Sequence, residues 1–201
     1  MKIICIGRNY VAHIEELGNV KPENPVIFLK PSTALLSSEK PFYHPDWSTD
    51  IHFECELVFR IGKTGKYIAP EFAHRYLDAI TVGIDFTARD LQEKQKSKGL
   101  PWEIAKAFDH SAVVGNWITL PDLSSPITFG MKKNNDWVQK GNSSLMIFSI
   151  AEIIAYISRF FTLQTGDLLF TGTPAGVGAI RPGDVLEGYL ADEPLFRTEI
   201  R

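Results

Sequence analysis

The chain has 201 residues, 44% hydrophobic and 22% charged, with 15 Gly and 12 Pro, a composition that excludes a disordered chain and fits a turn-rich globular protein. A formal net charge of −3 with no long basic block removes the electrostatic footprint that nucleic acid or an anionic membrane requires, so a small molecule is the expected ligand. Cys5 and Cys55 are the only cysteines, too few for a disulfide framework or a thiolate zinc site, and no apolar run nears the roughly 20 residues of a bilayer span. Residues 1–201 are therefore read as a single domain of a cytoplasmic protein.

Lys2–Gly7 reads as a short buried strand, and Asn9 to Leu17 has helical spacing with Gly18 as its stop. Pro25–Lys30 is a second strand, broken by Pro31-Ser32. Residues 51–60 alternate cleanly, which predicts one strand with Ile51, Phe53, Cys55, Leu57 and Phe59 on one face and His52, Glu54, Glu56, Val58 and Arg60 on the other. Ala79–Phe86 is a further apolar strand that runs into a polar helix from Thr87, and Lys94 to Lys98 reads as a solvated helix face. Ser149 followed by Glu152 is a capping-box signature and predicts a helix from Ile150 to about Phe160. Thr165–Phe170 and Pro182–Glu187 are turn-plus-strand units around a Gly-rich loop, so the last third is expected to be mostly β.

Several side chains in these elements could carry chemistry. Glu54 and Glu56 would project from one strand face at roughly 7 Å spacing, able to share a cation or simply to be solvated. Asp85 ends an apolar run, where an unpaired buried carboxylate is costly and a paired or metal-bound state is expected. Such an all-oxygen set suits Mg²⁺, with Mn²⁺ able to substitute, better than zinc. His13 and Glu16 lie three residues apart on the first helix, where Glu16 could orient an imidazole that handles a proton, or the two could be a surface pair. Gly18 and Asn19 mark that helix as one able to move and close over substrate. Lys106 is the only cation between Pro101 and Phe108 and could bind a substrate carboxylate or enolate, or snorkel to the surface. Thr171–Gly178 offers backbone N–H groups to an anion but lacks the Lys-Ser/Thr ending of a phosphate loop, so nucleotide binding is disfavoured.

Seven fragments in order resemble the fumarylacetoacetate hydrolase family, especially its short branch of acylpyruvate hydrolases and oxaloacetate decarboxylases. They are Cys5–Tyr10, Phe28–Ser32, His52–Leu57, Asp85–Gln92, Lys98–Trp102, Ser143–Phe148 and Leu169–Gly178. The resemblance implies a β-rich α+β fold, a mixed β-sandwich or roll with a few peripheral helices, usually built into a homodimer. It implies Glu54, Glu56 and Asp85 as metal ligands, Lys106 as a catalytic cation, and His13 with Glu16 as a water-activating dyad on a lid. It further implies substrate contacts from Arg89, Gln92 and Thr173. The expected activity is Mg²⁺-dependent C–C hydrolysis of acylpyruvates, with oxaloacetate decarboxylation at the same site. An isomerase or tautomerase of small 2-oxo acids is the nearest alternative, and a non-catalytic divalent-ion or ligand-binding protein the more distant one.

Overall fold

The structure, a computed structural model, describes residues 1–16, 18, 20–37, 40–120 and 126–201. Its first half runs β1 (Ile3–Gly7), α1 (Val11–Glu16), β2 (Val26–Lys30), β3 (Leu35–Ser37), β4 (Ile51–Phe53), β5 (Cys55–Ile61), β6 (Leu77–Asp85), β7 (Thr87–Ala88) and α2 (Arg89–Ser97). Then follow α3 (Glu103–Lys106), β8 (Ala112–Val114), β9 (Ile118–Thr119), β10 (Thr128–Lys133), β11 (Asp136–Asn142), α4 (Ile150–Ile157), β12 (Leu168–Phe170), β13 (Gly178–Ala179), β14 (Val185–Leu190) and β15 (Glu193–Glu199). This is the expected strand-rich architecture with a few short helices. The expected helix end at Leu17 and hinge at Asn19 lie outside the described residues. Among the described residues no helix is long and apolar enough to cross a membrane.

The largest sheet is mixed, in the order β2-β1-β12-β5-β6-β8-β3 with β9 beside β6. β1 runs parallel to β12 and β3 parallel to β8, while β5 and β6 are antiparallel. A second sheet, β11-β10-β14-β15, packs against β5 and β6, and a small third one is β13-β4-β7. Because side chains alternate across a pleat, β1, β5 and β12 each feed two apolar layers. Ile4, Ile6, Leu57, Phe59, Val82 and Ile84 join Phe129, Met131, Leu186 and Phe196 in the larger core. Ile3, Cys5, Val58, Leu168 and Phe170 form a smaller one on the opposite face, under Phe28 and Trp117.

The segment Ile51–Arg60 is not one strand. It leaves the small sheet after Phe53 and enters the large sheet at Cys55, so Glu54 is the corner between β4 and β5. The predicted faces survive that break: Ile51, Phe53, Cys55, Leu57 and Phe59 all lie in the larger core. On the other face His52 and Arg60 are half-buried, but Glu54, Glu56 and Val58 between them are buried, and the two carboxylates therefore need partners inside the protein.

Two local features hold the surroundings in place. Ser149 and Glu152 form the predicted capping box, and α4 buries Ile153, Ile154 and Ile157 before it ends, three residues short of Phe160. Asn9, fully buried, donates through Nδ2 to Thr171 O (2.8 Å) and Phe148 O (3.1 Å), and its Oδ1 accepts from Phe148 N (2.8 Å). It ties the β1–α1 turn to the loops that precede α4 and follow β12.

Removing the cap by Ser149→Ala should cost about 1 kcal/mol and lower Tm by about 2–4 °C in a thermal melt. Asn9→Ala strands buried backbone groups and should cost about 3 kcal/mol, which the same melt would register as a drop of roughly 6–12 °C.

Candidate active site

In the β5–β6 ladder Glu56 stands opposite Gly83, and two residues further along the Asp85 N–H donates to Glu54 O at 2.8 Å. That register brings Glu54, Glu56 and Asp85 to one face, with a carboxylate oxygen from each within 4.8 Å of the others. Their exposures are only 6%, 2% and 0%, so solvent does not explain them. Gly83 is needed here because a Cβ would lie 2.5 Å from Val113 O on the neighbouring strand.

Three buried cations face these acids. Lys106 Nζ lies 2.7 Å from Glu54 Oε2, 2.8 Å from Asp85 Oδ2 and 2.5 Å from Thr87 Oγ1. Lys30 Nζ pairs with Asp85 Oδ1 at 2.7 Å and also donates to Ser111 Oγ and to Lys106 O. Arg89 gives Nη2 to Glu54 Oε1 (2.7 Å) and Nη1 to Gln92 Oε1 (2.6 Å), while its buried Nε has no partner among the described residues. Burial alone would raise the Glu54 pKa, but Lys106 and Arg89 outweigh it and hold the carboxyl below the usual range. Burial likewise works against a charged Lys106, and Asp85 and Glu54 reverse the sign to keep its pKa raised.

Glu56 is different. Burial, then Asp85 and Glu54, push its pKa well above the ordinary carboxyl value, and its hydrogen-bond donor is the Gly172 N–H at 2.7 Å. The triad therefore contains one acid that lacks a side-chain cation, flanked by two others. Hard oxygen donors in this arrangement fit a divalent ion, which would relieve the repulsion between them.

The wall of the cleft comes from the β1–α1 segment and the Gly-rich loop. His13, 6% exposed, has Nδ1 3.2 Å from Glu16 Oε2. Glu16 in turn accepts from Gly176 N at 3.1 and 3.3 Å, so α1 is latched onto the loop. Gly176 has φ +97, and a Cβ there would lie 2.3 Å from Val138 O. Thr173 donates to Cys55 O (2.9 Å) and accepts from Gln139 Nε2 (2.9 Å), while Gln139 Oε1 accepts from Cys55 N (2.8 Å).

His13, Glu54, Glu56, Asp85, Arg89, Gln92, Lys106 and Thr173 line this one cleft, and Glu16 stands behind His13. Lys106 does not snorkel: it is 4% exposed. The N–H groups of the Gly-rich loop do donate to carboxyl oxygens, but these are the protein's own Glu56 and Glu16. Sequence reasoning assigned no role to Lys30 or Gln139. Lys30 had a usable signal, a lone charge ending an apolar strand before Pro31, whereas nothing local distinguishes Gln139. Burial drives the thiols of Cys5 and Cys55 well above their normal pKa, so neither serves as a nucleophile.

The fold agrees with that of solved relatives, and the sequence with curated ones. The mitochondrial oxaloacetate tautomerase FAHD1 of Mus musculus is 41% identical over 99% of this chain and 91% of its own length. The oxaloacetate tautomerase YcgM of Escherichia coli is 40% identical over 92% of this chain and 86% of its own. Among solved structures, a fumarylpyruvate hydrolase from Pseudomonas aeruginosa in complex with Mn²⁺ and pyruvate superposes with a TM-score of 0.93 at 35% identity, covering 100% of this chain and 89% of that one. The family model for the fumarylacetoacetate hydrolase C-terminal region matches residues 2–200. The chain belongs to the fumarylacetoacetate hydrolase family.

Proposed function

We propose that this chain is a divalent-metal enzyme that interconverts the keto and enol forms of oxaloacetate or a close 2-oxo acid. The observation that carries this reading is the convergence of a buried three-carboxylate cluster and the His13–Glu16 pair on one cleft. The two oxaloacetate tautomerases, similar over nearly the whole chain, move tautomerisation ahead of the C–C hydrolysis favoured from sequence alone.

Glu54, Glu56 and Asp85 would hold Mg²⁺, with Mn²⁺ as a substitute. When bound, that ion supplies Lewis acidity to a 2-oxo group and its neighbouring carboxylate. Lys106 and Lys30 fix Glu54 and Asp85 in place, and the unpartnered Nε of Arg89 is available to a substrate oxygen. With its proton on Nδ1, directed at Glu16, His13 presents Nε2 as the base. It takes a proton from the carbon beside the 2-oxo group, and a proton is returned to the oxygen. Gln92 and Thr173 complete the wall.

A second reading, hydrolysis of acylpyruvates, is favoured by the latch of Glu16 on Gly176, which would hold His13 still enough to activate a water. Decarboxylation of oxaloacetate would use the same enol chemistry without that water. A purely ion-binding protein would have no use for His13 aimed into the cleft.

The test follows the ultraviolet signal of the oxaloacetate enol, with pyruvate assayed in parallel, for protein with Mg²⁺ and with excess chelator. Enol relaxation that needs Mg²⁺ and yields no pyruvate is the expected result; stoichiometric pyruvate would replace it with decarboxylation, or with hydrolysis if an acylpyruvate is consumed. Glu56→Gln should weaken Mg²⁺ binding and lower activity by about 100-fold. His13→Asn should lower kcat by roughly 10²–10⁴-fold while calorimetric Mg²⁺ binding persists.

A further inference from the structure

We propose that Arg8 is a specificity-determining residue that binds the distal carboxylate of a 2-oxo dicarboxylate and so selects diacids over monoacids. This inference rests on the functional reading above and deepens it. Arg8 has φ +59, and among the described non-glycine residues with positive φ it is the one that lines the cleft. A left-handed conformation is uncommon for a residue with a side chain, and it clusters where a function demands it. The chain is fixed on both sides of it: Gly7 pairs with Val26 in the sheet, and Asn9 makes the buried clamp to residues 148 and 171. The guanidinium nevertheless makes no hydrogen bond or ion pair to another described residue.

Its surroundings are graded in charge. Arg89, Gln92 and Lys96 sit at successive turns of α2 and all line the cleft, with Arg89 buried beside the acids and Lys96 at the exposed end. Arg8 reaches the same end from β1. The Lys96 pKa is lowered first by partial burial and then by Arg8 and Arg89, which places these cations within electrostatic reach of one another. Part of the cleft wall is apolar, with Phe28 and Trp102 in edge-to-face contact at 6.1 Å. At the floor Lys30, Lys106 and Arg89 already match the formal charges of Glu54, Glu56 and Asp85. A divalent ion therefore leaves a net charge that a dianion neutralises. A substrate with one carboxylate at the floor and another at the mouth fits this gradient; one that ends in a methyl group leaves Arg8 unanswered.

The test compares Mg²⁺-loaded wild type, Arg8→Gly, Arg8→Asn and Arg8→Lys. Glycine and asparagine accept positive φ, so the turn is preserved. Calorimetry measures binding of 2-oxoglutarate, a dicarboxylate, against pyruvate, and kinetics compare kcat/KM for oxaloacetate against acetylpyruvate. Wild type should prefer the diacid by roughly ten- to a hundredfold. Arg8→Gly and Arg8→Asn should reduce that ratio to within about threefold, chiefly through Kd and KM, and Arg8→Lys should restore most of it. A wild type with no preference, or variants that keep it, would overturn the inference. A diacid preference that depends on Arg8 in a protein that turns over no 2-oxo acid would sustain the inference and sink the tautomerase reading.

Discussion

Three carboxylates inside a protein are tolerable only if something cancels their charge, and that constraint organises this molecule. The idealised cost of moving one such ion out of water is about 20 kcal/mol, several of which persist in a real interior. Lys30 and Lys106 come from segments far from the acids in sequence, yet both ammonium groups lie within hydrogen-bond reach of Asp85. The network also joins elements: β2, the β4–β5 corner, the end of β6 and α3 are mutually positioned through it. Lys106, Lys30 and Arg89 between them occupy the oxygens of Glu54 and Asp85, and Glu56 is left to a backbone N–H.

Much of this was legible from residue patterns. The alternation over Ile51–Arg60 put both glutamates on one side and their apolar partners on the other, which is what a pleated strand imposes. Asp85 stood out because an acid closes an apolar strand, and the capping box at Ser149 could be read from two letters. The corner at Glu54 was not visible, since alternation continues unbroken while the strand changes sheets. Nor could local sequence choose between a buried and a snorkelling Lys106, because that choice depends on where β6 and the β4–β5 corner place their acids. Lys30 and Gln139 act through partners 34 to 84 residues away, a distance no window-based reading spans.

The reaction itself was the least legible. An acidic triad that could hold an ion, beside an oriented imidazole, would suit proton transfer, decarboxylation and hydrolysis alike, since these differ in whether a water is activated and which bond breaks. Resemblance supplied the family and its ligand set; only the relatives ordered the reactions within it.

Asn9 has a consequence for how the chain acquires its shape. Its side-chain partners lie 139 and 162 positions downstream, and the Lys2–Asp167 contact spans 165. β1 lies one strand in from the edge of the large sheet and has to wait for β12, one of its two neighbours there, until most of the polypeptide has been made. Loop closure over such separations costs entropy before any contact repays it. Folding should accordingly be slow for a protein of this size, and the first strand should be among the last to lock in.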